Sequence, residues 1–381
     1  MNHLYFDLPK FKDKKNVEIE VEKIHKLSKK INRKVCIMEV CGTHTMQIAK
    51  YGIRKMMPEN VKLISGPGCP VCVTPQEYID KAIYILKNYD VIITTFGDLY
   101  RVVGTESSLE KERINGKDVR IVYSPYESLD IAKSVNKPVV FLSIGFETTM
   151  PAVACTIKEA KRSNINNLYF FIGNKFFLPA LETLILFNRN FLSPFIKTEM
   201  FIDGFLLPGH LSVIVGEESY LWVAERYGLS GVITGFEPLD IVRGIRMLLE
   251  TFVDSQPRIQ NEYVRVVSYE GNKFAKKVIS EVFEPTGGSW RGLGFIDEST
   301  AKLKKEYEMF DAEKVFNIPN ITINLSNTKC KCNEVLIGKI TPFECPLFEK
   351  VCTPENPVGA CMVSSEGACA AYYKYERCYL R

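Results

Sequence analysis

Apolar and polar residues alternate along the chain with two different periods. Between residues 16 and 31 the apolar side chains recur every three or four positions, which predicts an amphipathic helix. Short apolar runs then follow at intervals and predict buried strands, most of them succeeded by a helical pattern. The predicted strands cover residues 35–40, 61–65, 91–95, 119–124, 138–144, 167–173, 201–207 and 231–234.

Repeated strand-helix units predict parallel sheets covered by helices, and therefore an α/β fold. A chain of 381 residues exceeds what one hydrophobic core usually serves. We predict two similar parallel-sheet α/β domains, residues 1–137 and 138–251, and a smaller, less regular α+β domain at 252–381. Gly-Phe-Glu ends a strand in both 141–149 and 231–240, which suggests two related halves, although a strand-to-helix turn can require glycine on its own.

Two helices have predictable boundaries. One covers residues 43–57 and stops before Pro58. The other begins after Thr74, which we expect to cap it, with Pro75 at the first position and Glu77 completing a capping box. This second helix should run to about Asn88.

The charge balance excludes some partners. Lysines and arginines number 49 against 45 aspartates and glutamates, and neither sign forms a long block, so no nucleic-acid partner is expected. The N-terminal segment carries charges where a secretory signal needs an apolar core. The most apolar stretch, residues 168–187, is interrupted by Asn174, Lys175, Pro179 and Glu182, so no membrane span is predicted. We expect a cytoplasmic protein that is monomeric on its own.

Cysteine is the residue type that points to chemistry. The chain has twelve cysteines, and without an export signal these stay reduced, which favours metal binding or redox chemistry over structural disulfides. Five lie upstream, at positions 36, 41, 69, 72 and 155, and seven crowd the tail, at 330, 332, 345, 352, 361, 369 and 378. Cys36 and Cys155 lie in apolar runs and are expected to be buried and inert.

Cys41 lies in Glu-Val-Cys-Gly-Thr-His, where a predicted strand ends and a helix begins. Open α/β sheets place their ligand sites at this edge. A helix N-terminus also favours the thiolate, which is the form that binds metal or attacks an electrophile. His44, one turn on, is a candidate ligand, proton carrier or hydrogen-bond partner. The alternative is that Cys41 is a small buried side chain without chemistry.

Cys69 and Cys72 form a Cys-x-x-Cys in Gly-Pro-Gly-Cys-Pro-Val-Cys, again between a strand and a helix. Two thiols at this spacing can form a strained, reducible disulfide, so a reversible dithiol is predicted. Half of a zinc site, or simple packing of the loop, remain alternatives.

Four other polar residues follow predicted strands: Asp98, Glu147, His210 and Glu237. Acidic residues near helix starts also cap helices, so the roles of these residues stay open.

Four tail cysteines, Cys332, Cys345, Cys352 and Cys369, are separated by twelve, six and sixteen residues. Four soft ligands in one small domain can hold a [4Fe-4S] cluster. The spacing matches neither ferredoxins nor paired zinc knuckles, so a zinc site with four thiolates stays open on this ground.

Together these segments resemble the hydrogenase maturation factor HypD family. The matching blocks, in the family's order, are EVCGTHTMQIAKYGI, GPGCPVCVTP, SIGFETTMP, LLPGHLSVIVG, ITGFEPLDI, WRGLG and CPLFEKVCTPENPVGACMVSSEGACAAYYKYER. The resemblance spans most of the chain. It implies two similar sheet-and-helix domains and a third with a [4Fe-4S] cluster held by Cys332, Cys345, Cys352 and Cys369. Cys330, Cys361 and Cys378 are then left out, and zinc is disfavoured.

The resemblance also implies a function, namely a scaffold without conventional turnover that assembles the Fe(CN)2CO unit of [NiFe] hydrogenases. Cys41 would bind the transient iron with His44 nearby, and Cys69 and Cys72 would form a redox-active pair in a thiol and iron-sulfur relay. The implied partners are HypC, whose cysteine supplies a second thiolate, and HypE, which delivers carbamoyl-derived cyanide. Many relatives carry a second histidine where this chain has Met46, so a role for two imidazoles is not predicted.

Two other functions fit the same residues. An iron-sulfur dependent thiol-disulfide oxidoreductase would use the cluster to reduce Cys69 and Cys72 for another substrate. A binding module stapled by zinc would use the tail cysteines alone. Iron content separates these alternatives from the scaffold.

Overall fold

The computed structural model describes residues 11–190, 201–319, 321 and 329–377. The strands in this part of the chain are β1 (Val35–Glu39), β2 (Val61–Ser65), β3 (Ile92–Thr95), β4 (Val119–Ile121), β5 (Val139–Ser143), β6 (Leu168–Ile172), β7 (Gly204–Pro208), β8 (Ser230–Thr234), β9 (Ile259–Asn261), β10 (Phe283–Trp290) and β11 (Gly294–Leu303). All eight predicted strands are present, with ends shifted by no more than a few residues.

The α-helices alternate with these strands. They are α1 (Lys14–Ser28), α2 (Gly42–Lys50), α3 (Ile53–Met56), α4 (Pro70–Val73), α5 (Gln76–Asn88), α6 (Gly97–Tyr100), α7 (Leu109–Ile114), α8 (Pro125–Ser134), α9 (Met150–Arg162), α10 (Phe177–Asn190), α11 (Gly209–Val215), α12 (Leu221–Tyr227), α13 (Pro238–Asp254), α14 (Lys273–Val282), α15 (Ala312–Val315), α16 (Cys332–Leu336), α17 (Ala360–Val363) and α18 (Ala368–Ala371). Shorter turns of 3-10 helix lie at Glu217–Tyr220, Lys305–Phe310 and Pro342–Glu344, and a π-helical turn at Tyr372–Glu376.

Two of the sheets are entirely parallel. Sheet 1 has the strand order β2-β1-β7-β8-β9 and sheet 2 the order β4-β3-β5-β6, whereas β10 and β11 form an antiparallel ribbon. In sheet 1, Ile37 of β1 is in register with Leu63 of β2 and with Gly204 of β7. Parallel neighbours require crossover connections, which the helices supply. The predicted α/β architecture with two parallel sheets is therefore confirmed.

The chain forms two compact units. Unit 1 comprises Met1–Gly68, Ile185–Asn272 and Ala371–Arg381 and contains sheet 1. Unit 2 comprises Cys69–Leu184 and Lys273–Ala370 and contains sheet 2 and the antiparallel ribbon. The contiguous domains at 1–137, 138–251 and 252–381 stay a prediction, and their boundaries do not coincide with the ends of these units. The reason is that β5 pairs with β3, while β7 returns to pair with β1.

The core of unit 1 lies between sheet 1 and the helices α1 and α13. Ile37, Leu206 and Val232 project from adjacent strands into a buried cluster that also contains Ile24 of α1 and Leu248 of α13. Burying a side chain of this size contributes about 1.5–3 kcal/mol relative to leaving it exposed. This core fixes the positions of the strand ends at which polar residues emerge.

Aromatic side chains fill the interior of unit 2. Phe141 of β5 packs edge-on against Phe96 and Phe170, with ring centroids 5.3 and 6.0 Å apart. Tyr78 of α5 stacks on Phe171 at 4.4 Å and donates its hydroxyl to the Phe171 carbonyl at 2.7 Å. These contacts tie α5, which follows the Cys-x-x-Cys segment, to sheet 2.

Two local predictions are wrong. The helix predicted over 43–57 is interrupted, because Gly52 adopts a left-handed φ of +65° between α2 and α3. The capping box predicted at Thr74 does not form. The Cys-x-x-Cys segment itself folds into α4, so Thr74 ends that turn by donating its hydroxyl to the Pro70 carbonyl at 2.8 Å. Pro75 then precedes α5.

Within the described ranges, no helix is long and apolar enough to cross a membrane.

Candidate functional site

Cys41 lies at the carboxyl edge of sheet 1, two residues after β1 ends at Glu39. Its extended backbone (φ −143°, ψ 128°) leads from the strand into α2, of which it is the N-cap residue. The residue is 7% exposed. The structure thus places Cys41 at a strand-to-helix turn, as the apolar pattern predicted.

Gly68 holds the backbone at Cys41 in place. The N–H of Gly42 donates to the Gly68 carbonyl at 3.1 Å. A Cβ on Gly68 would lie 2.3 Å from both the Cα and the N of Cys41, so no other residue fits unless one backbone moves. This contact accounts for the second glycine of Gly-Pro-Gly-Cys.

His44 lies in the first turn of α2 and is completely buried. Its Nε2 is 3.0 Å from the Gly235 carbonyl oxygen and 3.0 Å from Thr234 Oγ1. A carbonyl can only accept, so Nε2 carries the proton and Nδ1 keeps its lone pair. That Nδ1 is buried and has no hydrogen-bond partner among the residues that the structure describes. Burial lowers the pKa of His44 to about 4, so the ring is neutral near pH 7 and in the form that binds metals.

The segments after β7 and β8 complete this edge of sheet 1. His210 stacks on Phe236 with ring centroids 3.9 Å apart, and His44 contacts the same ring at 5.0 Å. Glu237 forms a capping box with Asp240 at the start of α13. The two histidines therefore share an aromatic neighbour, whereas Glu237 caps a helix.

A buried ion pair next to Cys41 was not predicted from the sequence. Glu39 is completely buried, pairs with Arg54 of α3, and accepts a hydrogen bond from Ser65 Oγ at 2.9 Å. Arg54 also pairs with Glu376 at 2.7 Å and lies 4.8 Å from the ring centroid of Tyr372. Burial raises the pKa of Glu39 to about 7. In the sequence, the sign of this buried ion pair was one acidic residue inside the apolar run 35–40.

Cys69 and Cys72 lie together in unit 2 and are free thiols. Cys69 is the N-cap of α4, and its Sγ accepts the N–H of Cys72 at 3.2 Å. The Cys69 thiol donates to Ser364 Oγ, also at 3.2 Å. Burial raises the pKa of Cys72 well above its ordinary value, and hydrogen bonds with Cys361 and Cys69 act in the same direction. The two members of the pair thus have different surroundings.

Asp98 lies in the first turn of α6, directly after β3. Its Oδ2 accepts hydrogen bonds from Ser364 Oγ at 3.3 Å and from Ser365 Oγ at 3.0 Å. Ser364 therefore connects Asp98 with Cys69. Sequence reasoning had no signal for Ser364, because two adjacent serines in a tail predict only a loop.

Glu147, which follows β5, caps a helix. Its Oε1 accepts the N–H of Phe177 at the start of α10 at 3.1 Å. Within the described part of the chain its buried Oε2 has no hydrogen-bond partner, and burial raises the pKa of the carboxyl to about 7. Near pH 7 the carboxyl of Glu147 is thus neutral or half-ionised. Its contact with Phe177 is a structural one.

Six tail cysteines line one cavity in unit 2: Cys330, Cys332, Cys345, Cys352, Cys361 and Cys369. Leu347, Phe348 and Met362 contribute apolar side chains to the same lining. The N–H of Val358 donates to Cys352 Sγ at 3.3 Å. The structure therefore brings together all four tail cysteines that were predicted as ligands, Cys332, Cys345, Cys352 and Cys369, along with two more.

Cys330 and Cys361 are the two additional thiols in this lining. The Sγ atoms of Cys332 and Cys361 lie 2.6 Å apart, and Cys361 also hydrogen-bonds with Cys369 and Cys72. Cys330 hydrogen-bonds with Cys332. Spacing along the chain could not identify these two residues, because it does not report which thiols touch. Cys378 lies outside the described residues.

The remaining two cysteines differ from each other. Cys36 is buried in β1, as expected, and burial raises the pKa of its thiol to about 12. The expectation that Cys155 is buried is wrong, because it lies on the exposed face of α9.

The arrangement of the thiols bears on the kind of metal they could hold. Among the residues that the structure describes, no group of three or more His, Cys, Asp or Glu side chains is arranged to hold a metal ion. A zinc ion needs donors that converge to about 2.0–2.3 Å from one point. A [4Fe-4S] cluster instead distributes four thiolates over its irons. Thiolates are the ligands of both groups, so the donor set by itself fits either one.

Fold and site together define a class of protein. It is an α/β protein with two parallel sheets, in which thiols follow the neighbouring strands β1 and β2 at strand-to-helix turns and further thiols line a cavity near the C-terminus.

Comparison with known proteins places the chain within this class. The HypD family model, described as the hydrogenase formation hypA family, matches residues 15–376. The chain is 42% identical over 358 residues to the hydrogenase maturation factor HypD of Escherichia coli, covering 93% of each protein. It is 42% identical over 345 residues to HypD of Cupriavidus necator, covering 89% of each. A hydrogenase expression/formation protein of Methanocaldococcus jannaschii is 41% identical over 366 residues, covering 96% of this chain and 98% of that protein. The chain belongs to the HypD family of hydrogenase maturation factors.

Proposed function

We propose that the protein is a scaffold on which the Fe(CN)2CO unit of [NiFe] hydrogenases is assembled. The observation that carries the proposal is the position of Cys41 at the edge of sheet 1, one helical turn from the unpartnered Nδ1 of His44. A thiolate and a neutral imidazole are soft or intermediate donors, which suit iron that carries cyanide and CO. Membership of the HypD family supplies the context of hydrogenase maturation. The iron unit is cargo that leaves with the product.

The proposed partners follow from the same chemistry. Cys41 offers one thiolate, and a cysteine of HypC would supply a second. HypE would deliver carbamoyl-derived cyanide to the iron. Because the thiols must stay reduced to work, we place this assembly in the cytoplasm.

We propose that the tail cavity holds a [4Fe-4S] cluster through Cys345, Cys352, Cys369 and Cys332, with Cys330 competing with Cys332 for the fourth position. When bound, such a cluster supplies one-electron transfer. The apolar residues Leu347, Phe348 and Met362 would keep water from it. The N–H that Val358 donates to Cys352 would favour the charged form of that thiolate.

Cys69 and Cys72 are the proposed redox-active pair. Support comes from contacts among sulfur atoms within unit 2, since Cys72 hydrogen-bonds with Cys361 and Cys361 touches Cys332. The proposal therefore includes a thiol relay between the pair and the cavity.

Infrared spectroscopy tests the scaffold. Protein prepared anaerobically with HypC and a competent maturation system should display cyanide and CO stretching bands. Cys41→Ala should lose these bands, because it removes the iron-binding thiolate. Cys155→Ser is the matched control, since Cys155 is exposed and outside both sites, and it should keep them. Bands of equal intensity in Cys41→Ala would contradict the proposal.

A second candidate is an iron-sulfur dependent thiol-disulfide oxidoreductase. This function is favoured by the hydrogen bond that the Cys69 thiol donates to Ser364 Oγ, because a hydroxyl in this position can take part in acid-base chemistry at the thiol. Metal analysis distinguishes the two functions. An oxidoreductase would carry only cluster iron, whereas the scaffold carries an additional mononuclear iron that is lost in Cys41→Ala.

A further inference from the structure

Cys69, Ser364 and Asp98 form a continuous chain of hydrogen bonds in unit 2. The Cys69 thiol donates to Ser364 Oγ at 3.2 Å, and Ser364 Oγ donates to Asp98 Oδ2 at 3.3 Å. We propose that Asp98, acting through the hydroxyl of Ser364, is the proton acceptor that converts Cys69 into its reactive thiolate. This inference rests on the proposed role of Cys69 and Cys72 as a redox pair.

The orientation of the Ser364 hydroxyl is determined by its partners. A serine hydroxyl has one hydrogen to donate and two lone pairs that accept. The thiol of Cys69 and the N–H of Glu366, at 3.2 Å, both donate to this oxygen. Both lone pairs are thus used, and the hydrogen is left to point at Asp98. The direction of proton transfer, from Cys69 toward Asp98, follows from this arrangement.

The proton transfer balances without another reactant. The S–H bond of Cys69 breaks and its proton moves to Ser364 Oγ, while the proton of that hydroxyl moves to the Asp98 carboxylate. The negative charge passes from Asp98 to Cys69, and no electrons are gained or lost. The N–H of Cys72, 3.2 Å from Cys69 Sγ, stabilises the thiolate that results.

Burial explains why a relay is needed. Cys69 is 3% exposed and Ser364 is 1% exposed, whereas Asp98 is only partly buried. Asp98 therefore links the buried thiol with solvent. Ser365 donates to the same carboxylate oxygen at 3.0 Å and holds Asp98 in place, but it does not lie between Asp98 and Cys69.

The second cysteine has no equivalent route. Cys72 is completely buried and its neighbours Cys361 and Cys69 are also thiols, so its proton has no carboxylate to move to among the contacts that the structure describes. Cys69 is then the attacking thiol and Cys72 the resolving one. The thiolate is the nucleophile in thiol-disulfide exchange, so this division of roles sets the order of events.

Other charged groups surround the relay. Arg101, beside α6, donates to the Pro354 carbonyl, and Arg291 donates to the Thr74 carbonyl. Neither can be the titrating group, because the guanidinium does not deprotonate in proteins. Carboxylates on adjoining segments include Glu110, near Arg101, and Glu366, whose N–H contacts Ser364.

The test is the pH profile of disulfide formation between Cys69 and Cys72. Full-length protein is reduced anaerobically, treated with diamide, a small thiol oxidant, and quenched by alkylation. Cleavage after Lys62 and Lys81 leaves both cysteines on one peptide, which mass spectrometry can quantify. The rate is recorded from about pH 6 to about pH 9, on either side of the ordinary thiol value.

In Asp98→Asn and Ser364→Ala the rate near pH 7 should fall at least about tenfold, a conservative bound on the roughly 10²–10⁴-fold that a positioned proton acceptor contributes. The pH at which the rate is half-maximal should rise by about 1, the equivalent of that factor. Ser364→Thr keeps a hydroxyl and should restore most of the wild-type profile. Ser134→Ala, at an exposed serine outside the relay whose hydroxyl donates to the Ile131 carbonyl, is the control and should behave like the wild type.

Other results would overturn the inference. A uniform loss of rate in Asp98→Asn and Ser364→Ala, with an unchanged pH profile, means that these residues only support the fold. If wild-type protein forms no Cys69–Cys72 disulfide at any pH, the proposed redox pair is wrong and the relay is rejected with it. The two failures are thus distinguishable.

Discussion

Gly68 and Cys41 are in direct backbone contact. A Cβ on Gly68 would come within 2.3 Å of the Cα and N of Cys41, and the neighbouring Gly42 donates its N–H to the Gly68 carbonyl. The loop that follows β2 is thus held against the turn that follows β1. The geometry of the candidate iron site depends on a residue without a side chain.

Replacing Gly68 by alanine should destabilise the protein. The clashing atoms belong to the backbone and cannot rotate away, so we expect a loss of about 1–3 kcal/mol or more in the free energy of unfolding, as for overpacked interiors. Urea denaturation followed by circular dichroism measures it. Gly97→Ala is the matched control, since its nearest neighbour would lie at 3.7 Å, and its effect should stay within about 0.5 kcal/mol. Equal stability of the two variants would contradict the close contact.

Removing Arg54 should be costly. Arg54→Ala leaves Glu39 buried without its cation, and breaking a buried pair in this way costs about 3–5 kcal/mol. Thermal or urea unfolding at neutral pH provides the measurement. Lys14→Ala removes half of an exposed pair with Glu18 and should change stability by no more than about 0.5 kcal/mol. An Arg54→Ala protein as stable as Lys14→Ala would show that Glu39 does not need its partner.

Serine substitutions in the tail should separate cluster ligands from neighbouring thiols. Cys345→Ser, Cys352→Ser and Cys369→Ser should each lose visible absorption and bound iron, because each removes a proposed thiolate ligand. Cys361→Ser should keep both. Of Cys330→Ser and Cys332→Ser, one should lose the cluster and thereby identify the fourth ligand.

Contacts between the tail thiols explain why Cys330→Ser and Cys332→Ser are compared. Cys332 touches Cys361, so if Cys330 is the ligand, Cys332 and Cys361 form a second thiol pair. Anaerobic iron analysis and absorption spectra, with Cys155→Ser as the exposed control, give the answer. Loss of iron in Cys361→Ser, or retention in both Cys330→Ser and Cys332→Ser, would refute the proposed ligand set.

Glu147 should make stability depend on pH. Burial raises its pKa from the ordinary 4.5 to about 7, so the folded protein holds a proton that the unfolded chain releases between these values. The stability that this provides is complete below about pH 4.5 and is lost as the pH rises through about 7. The free energy of unfolding falls most steeply between these two pH values, where the slope approaches roughly 1.4 kcal/mol per pH unit.

Glu147→Gln should remove that dependence. The amide oxygen can still accept the N–H of Phe177, and no proton is released at high pH. Relative to wild type, the variant should therefore gain stability between about pH 5 and about pH 8, as urea unfolding midpoints at several pH values would reveal. A difference that does not change with pH would mean that Glu147 is not the titrating group.

The strands were predictable because parallel strands are buried on both faces and appear as continuous apolar runs. The order of the strands within each sheet was not predictable. That β7 pairs with β1, and that β5 pairs with β3, depends on contacts between distant segments that no local pattern encodes. The predicted domain boundaries followed the order of the chain, whereas the compact units follow the sheets.

The residues of the candidate site also fall into those that the sequence predicted and those that it did not. Cys41, Cys69 and Cys72 were identified because each lies next to a strand end with glycine nearby, which is a local signal. Ser364 reaches Cys69 across 295 positions of sequence, so nothing in its own neighbourhood marks it. The contact of Cys361 with Cys332 is likewise visible only after folding.

The interior position of His44 has a consequence for the proposed capture of iron. With a pKa of about 4 and Nε2 engaged by Gly235, the ring keeps its charge of zero from mildly acidic to alkaline solution. A metal that reaches Nδ1 meets a bare electron pair and displaces no hydrogen ion. Binding of a metal at this nitrogen would therefore release no proton between mildly acidic and alkaline pH, whereas a cysteine thiol must lose its proton to bind metal.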